Sequence, residues 1–443
     1  MVASRDRRPE PSNREGSPRI HFVSGRLQVI DAGRRLDEVL SSPIEPQFQP
    51  IFDLDSMTVV GYEALARWPS APDVSPADVF DHARLHGRLG DLDWACRRAA
   101  VVGALDAGLT RPMSVFINVE PTTLSSSPRW PFPGERFREI TERDLQVVVE
   151  ITERDLLVDP ASVLAAVDWA RDRGCGIALD DVGLNPESLA LLPLVLPDVV
   201  KLDRRILADP LSPEFNETVS AVVDYASATG ASILAEGIEN AEDLGVTRTV
   251  GATLGQGYLL GRPGPAPTGP VGPPEHLAIP LIEVLTEPLA SPADVLERMP
   301  RQITTYETIA SVLDTITSYG EDLITPGCIA VAVQNQSSFI DRYAFRYEEL
   351  AAKHTLVGVV GARDLNVPDV RLARPADPGF DDQFAVAILT QTTAAAVVAR
   401  DLGDSGPLAQ RRYAWYFTHS RSAVRDVARC LVSRLAPASA PPL

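Results

Sequence analysis

Eight short apolar runs alternate with amphipathic stretches between residues 47 and 258, and few folds tolerate that rhythm. The runs are QFQPIFDL, VVGYEALAR, SVFINV, QVVVEI, GIALD, VVKLD, SILAEG and, more weakly, ATLGQGY. Between them lie ADVFDHARLHG, LDWACRRAAVVGAL, ASVLAAVDWARDRG and ETVSAVVDYASATG, whose apolar residues recur at helical spacing. Repeated strand–helix alternation implies parallel strands joined by helical crossovers. Eight strands over roughly 230 residues predict a (β/α)8 barrel of the TIM type, with room for a modified first strand. An open doubly wound sheet is the competing arrangement, but no GxGxxG turn supports a dinucleotide-binding version of it.

The rhythm stops at RPGPAPTGPVGPPEH, residues 262–276, where Pro and Gly are too dense to continue a helix or a central strand. The chain therefore divides into a polar N-terminal tail expected to be disordered (1–30), the barrel region (31–263), a semi-rigid linker (264–279), a smaller α/β region (280–437) and a short tail (438–443). The four cysteines form no CxxC or Cys/His cluster, which reads as isolated thiols in a reducing compartment. The N-terminus lacks a hydrophobic signal core and no apolar run is long enough to span a bilayer, so a cytoplasmic location is expected. A net charge of −19 leaves no broad basic face for DNA or anionic membranes.

The polar residues are placed more tellingly. Glu63, Asn118, Glu150, Asp180 with Asp181, Lys201 with Asp203, Glu236 and Gln256 stand at or near the C-terminal ends of successive strands. In a parallel barrel those ends converge on the mouth where such folds keep their chemistry. A single acid after a strand is ordinarily a helix cap. A ring of them would repel itself, so the set implies bound divalent cations. All-oxygen donors without His or Cys clusters favour Mg2+ or Mn2+ over Zn2+. Two such ions about 3.5–4 Å apart suit phosphoester hydrolysis. The only lysines are Lys201 and Lys353 among 41 basic residues, which makes an ammonium in the ring conspicuous.

In order and spacing, EALARW, FINVEP, EITE, LDDVG, VVKLD, AEGIE and GQGYLLGRP resemble EAL domains, the cyclic di-GMP phosphodiesterases. FQPIFDL and LDWACRR fit as well. The resemblance implies that Glu63, Asn118, Glu150, Asp180, Asp181 and Glu236 ligate two Mg2+ or Mn2+ ions, with Asp203 supporting the second. Lys201 matches the lysine that contacts the nucleophilic water, and Glu63 and Glu236 belong to the catalytic set with it. Arg67 would hold a substrate phosphate, Gln49 and Gln256 would face the substrate or site, and Glu153 would steady the loop after Asp181. The implied activity is hydrolysis of cyclic di-GMP to linear pGpG; a catalytically weak or silent receptor for the same dinucleotide is the alternative. A homodimer through this domain is also implied.

One segment departs from the pattern. Family members continue the aspartate pair as Phe-Gly-Thr-Gly-Tyr-Ser-Ser-Leu, whereas here Val182 and Gly183 lead into Leu184, Asn185, Pro186 and Glu187. Proline fixes a backbone angle where glycine permitted many. Residues 280–437 resemble, less strongly, the DICT domain, a proposed sensory module, which implies an unidentified ligand or protein partner. There QNQSSF reads first as a strand-ending turn and second as a ligand loop. His354 and His419 read as structural.

Overall fold

The computed structural model describes residues 34–126, 134–265, 278–282, 288–323, 326–332, 336–362, 365–374 and 380–438. The N-terminal tail, most of the linker and the last five residues lie outside them.

Strands β1 (Glu45–Asp53), β2 (Thr58–Arg67), β3 (Ser114–Asn118), β4 (Gln146–Thr152), β5 (Gly176–Val182), β6 (Val199–Leu202), β7 (Ser232–Ala235) and β8 (Leu254–Gly255) close into a barrel in that order. Strands β2 to β8 pair in parallel. The first strand is the modified one: β1 is antiparallel to both β2 and β8. The reason is local. Only residues 54–57 separate β1 from β2, too few for the crossover that a parallel pair needs, so the two form a hairpin.

An apolar plug fills the barrel: Phe116, Val148, Ala178, Val199, Leu234 and Leu254 belong to one buried cluster. Side chains two residues apart face the same side of a strand. One inward step beyond the plug therefore come Asn118, Glu150, Asp180, Lys201, Glu236 and Gln256. The pleat alone thus stacks a polar layer on a greasy one.

A second sheet follows, in the order β12-β11-β10-β13-β14-β15-β9. Its strands are β9 (Gln302–Thr305), β10 (Gly327–Ala332), β11 (Leu356–Val360), β12 (Val370–Leu372), β13 (Gln383–Thr390), β14 (Ala394–Asp401) and β15 (Arg412–Thr418). FAVAILTQTTAAAVVA forms the β13–β14 hairpin. QNQSSF is not a simple turn: Gln336–Ala351 is a helix, and residues 334 and 335 lie outside the described set. His354 and His419 each bond a backbone carbonyl, of Gly320 and Ala394 respectively. The four cysteines are free thiols. No helix among the described residues is long and apolar enough to cross a membrane.

The two sheets share apolar packing. A single cluster runs from Ile151, Leu156, Val163 and Leu194 on the barrel's outer layer to Leu356, Val360, Leu389 and Leu431 of the second region. Arg429, on the Arg421–Val432 helix, donates to Asp168 and to the Leu194 carbonyl of the barrel region.

Candidate active site

Two adjacent strand residues normally face opposite ways, yet Asp180 and Asp181 both serve one site. The pairing of β5 with β6 slips between Leu179 and Val182, and Asp181 adopts a left-handed backbone with φ of 58°. The irregularity swings the second carboxylate round: ligand atoms of Asp180, Asp181 and Glu236 lie within 4.8 Å of one another. A non-glycine residue held at positive φ costs energy and is tolerated where the surroundings enforce it.

At the centre is Lys201. Its Nζ lies 2.6 Å from Glu150 Oε1, 2.8 Å from Glu236 Oε1, 2.9 Å from Asp180 Oδ1 and 3.8 Å from Glu63 Oε2. Glu63 also accepts from Asn118 Nδ2 at 3.2 Å and from Gln256 Nε2 at 2.8 Å. Strands β2, β3, β4, β5 and β6, with the residues just past β7 and β8, thus meet at one point.

Burial penalises every charge here. It drives the Glu150 carboxyl well above its usual range, with the Glu63 charge reinforcing it. Burial likewise pushes Glu236 up to about 8. Asp181 is raised by burial, then by Asp180 and Asp203. Glu63 goes the other way: burial opposes its charge, but Lys201, Gln256 and Asn118 outweigh that cost. Burial also opposes the Lys201 ammonium, and Asp180, Glu150, Glu236 and Glu63 together raise it well above its ordinary value. One ammonium therefore serves four carboxylates, and Glu150 Oε2 is buried with no hydrogen-bond partner. Surplus negative charge, an unpartnered buried oxygen and an all-oxygen donor set fit divalent cations.

The remaining predicted residues fall around this centre. Glu153 is wholly buried and accepts from the Gly183 amide at 3.1 Å, the Asn185 side chain at 3.1 Å and the Ser188 hydroxyl at 2.7 Å. The Leu-Asn-Pro segment leads into a short 3-10 turn, Pro186–Leu191, and its Asn185 also gives Glu153 its backbone amide. Asp203 caps the Arg204–Leu207 turn through the Arg205 amide at 2.7 Å and also holds the Arg205 side chain. Gln256 is buried against Glu63, and Gln49 donates to the Gly261 carbonyl at 3.2 Å. Arg67 bonds the Ala66 carbonyl and lines a cleft of about 1030 Å3, together with Asn118, Glu153, Asp181 and Asn185. Arg84 and Arg154 line it too, with Arg84 paired to Asp81 and Glu120 of the same lining.

One pair carries no role in the motif reading. Asp93 and Arg97, both fully buried, lie one helical turn apart with 2.7 Å between Oδ2 and Nη2. Asp93 also accepts from the Glu120 amide at 3.2 Å and the Thr123 hydroxyl at 2.6 Å, pinning the chain just after Asn118. The only trace in the sequence is an Asp four residues before an Arg in LDWACRR, a spacing ordinary on exposed helices.

Comparison with known proteins agrees with the motifs. A family model described as the EAL domain matches residues 34–263. The chain is 31% identical over 264 residues to the cyclic di-GMP phosphodiesterase RocR of Pseudomonas aeruginosa, covering 57% of this chain and 65% of that protein. It is 31% identical over 229 residues to the probable cyclic di-GMP phosphodiesterase PdeG of Escherichia coli, covering 50% and 44% respectively. The chain thus spans less than two thirds of these relatives. A manganese/cy-diGMP complex of Klebsiella pneumoniae BlrP1 aligns at 24% identity with a TM-score of 0.45, covering 56% of this chain and 67% of that one. By the extent of the family match, the chain belongs to the EAL domain family.

Proposed function

We propose that this protein hydrolyses one phosphodiester of cyclic di-GMP to give linear pGpG. The observation that carries the reading is the Lys201 ammonium buried among four carboxylates beside a cleft large enough for a dinucleotide. Glu63, Asn118, Glu150, Asp180, Asp181 and Glu236 would hold two Mg2+ or Mn2+ ions, with Asp203 behind them. Bound there, such ions supply a water acidified towards neutral pH and charge neutralisation on the phosphate. Lys201 orients that water by donating to its oxygen, and the carboxylates around it take up the released proton. Arg67, which lines the cleft, holds a substrate phosphate, Gln49 faces the substrate, and Gln256 fixes the orientation of Glu63.

Residues 31–263 act as the catalytic unit and 280–437 as a DICT-like sensory unit that sets its rate. The protein works in the cytoplasm, with a homodimer through the catalytic unit. The test is turnover of cyclic di-GMP by the full chain with each metal, followed as pGpG by chromatography. Dinucleotide binding without cleavage in both metals would overturn the enzyme reading in favour of a receptor. The altered 184–187 loop favours that second reading; a large gain in turnover on restoring Thr-Gly-Tyr-Ser there would mark the native domain as tuned towards silence.

A further inference from the structure

The Glu153–Val158 helix is six residues long, about 9 Å at 1.5 Å per residue, and both of its ends are occupied. At its start the Glu153 carboxylate gathers the Gly183 amide, the Asn185 amide and side chain, and the Ser188 hydroxyl. Those groups belong to the loop that leaves Asp181. At its end the last carbonyls, unsatisfied within any helix, are taken by the second region. Arg371, on β12, donates to the carbonyls of Leu157 and Val158, and the Ala438 amide donates to Val158 at 2.8 Å. A parallel contact reaches the loop itself: Thr355 Oγ1 donates to the Glu187 carbonyl at 3.1 Å. Between the ends, Leu156 is fully buried in the cluster that the two regions share.

From this arrangement we infer that Arg371 is a positioning residue for the metal site, acting through the Glu153–Val158 helix on the loop that carries Asp181. The helix is too short to bend, so a shift at its carbonyl end reappears at Glu153. Glu153 makes four bonds to backbone and side chains three to eight residues beyond Asp180, so it passes the shift to a residue already held at positive φ. The second region thereby sets the geometry of Asp181 without touching the cleft. The inference rests on the proposed role of Asp181 as a metal ligand, but its first readout does not.

The experiment compares the native full chain with Arg371→Met, Arg371→Lys and Thr355→Val, by hydrogen exchange at the Gly183 and Asn185 amides and by calorimetric titration with Mn2+ alone. Loss of a hydrogen bond near 1 kcal/mol predicts exchange at these two amides about fivefold faster in Arg371→Met and a Mn2+ half-saturation raised by a similar factor. Arg371→Lys should recover part of both changes, and Thr355→Val should show a smaller shift in the same direction. A contact that merely fastens the two regions would speed exchange along 153–163 and leave Gly183 and Asn185 at native rates; that result overturns the inference. Should Arg371→Met fail to fold, native exchange and native Mn2+ affinity in Thr355→Val overturn it equally. Should the native protein bind no Mn2+, the phosphodiesterase reading falls, and exchange at Gly183 and Asn185 still decides whether Arg371 governs the loop.

Discussion

Lys201 and Glu150 stand 2.6 Å apart with neither side chain reaching solvent. A pair so deeply buried gains its attraction only after both ions have lost their water, and removing one partner leaves the other uncompensated. Here the asymmetry is greater, because Asp180 and Glu236 lean on the same ammonium. Lys201→Met should destabilise the metal-free protein by roughly 3–5 kcal/mol. Thermal melts with and without Mn2+ check this: added metal should raise the melting temperature of the variant more than that of the native protein.

The proton on Glu236 gives the site a pH dependence. Burial raises its carboxyl to about 8, so near neutral pH the folded metal-free site mostly holds that proton. The raised value stabilises the fold below the unfolded carboxylate pKa, and that contribution fades as pH climbs through about 8. Cations compete with the same proton. Apparent Mn2+ affinity should therefore rise with pH as Glu236, and with it Glu150 and Asp181, give up their protons. Titrations at a series of pH values, with proton release measured alongside, test the sign.

Asp181 should discriminate between neutral replacements by backbone alone. Asparagine accepts the left-handed conformation better than alanine does. Asp181→Asn and Asp181→Ala both remove the charge, yet the alanine variant should be less stable by about 1 kcal/mol. Urea unfolding of the two metal-free variants compares them directly, and equal stabilities would mean that the positive φ carries no strain.

The Asp93–Arg97 pair should behave as a buried strut. Asp93→Ala takes the opposing charge from a buried guanidinium and one hydrogen-bond acceptor from both the Glu120 amide and the Thr123 hydroxyl, for a loss of about 3–5 kcal/mol. Replacing both residues with apolar side chains of similar volume should recover much of that loss. A double-mutant cycle on melting temperature checks both statements.

Much of this was legible in the chain. The strand–helix rhythm favoured a closed barrel over an open doubly wound sheet and left room for a modified first strand; the fold contains one, antiparallel to both of its neighbours. The polar layer was legible for the same reason. A period of two places residue 118 above 116, 150 above 148 and 201 above 199, so strand pattern and layer position are one statement.

Other features have no local signature. GIALDD does not announce that its ladder slips, and without the slip Asp180 and Asp181 would face opposite ways. Asp203 reads as a metal-site residue in VVKLD, while its carboxylate also caps the turn that follows. Gln256 reads as an amide facing the substrate or the site, and which of the two is left open; the fold turns its Nε2 to Glu63 across the barrel. The bond from Arg371 to the end of the Glu153–Val158 helix spans more than two hundred residues, and nothing near either partner hints at the other.

The sequence by itself determined the barrel, its apolar plug and the oxygen-rich rim, because periodicity and turn length act over a few residues and need no knowledge of distant chain. Only the tertiary structure decided which carboxylates share one ammonium, which way Asp181 points and what grips the loop behind it. Those depend on contacts between segments far apart in the chain, where burial turns a modest attraction into a decisive one.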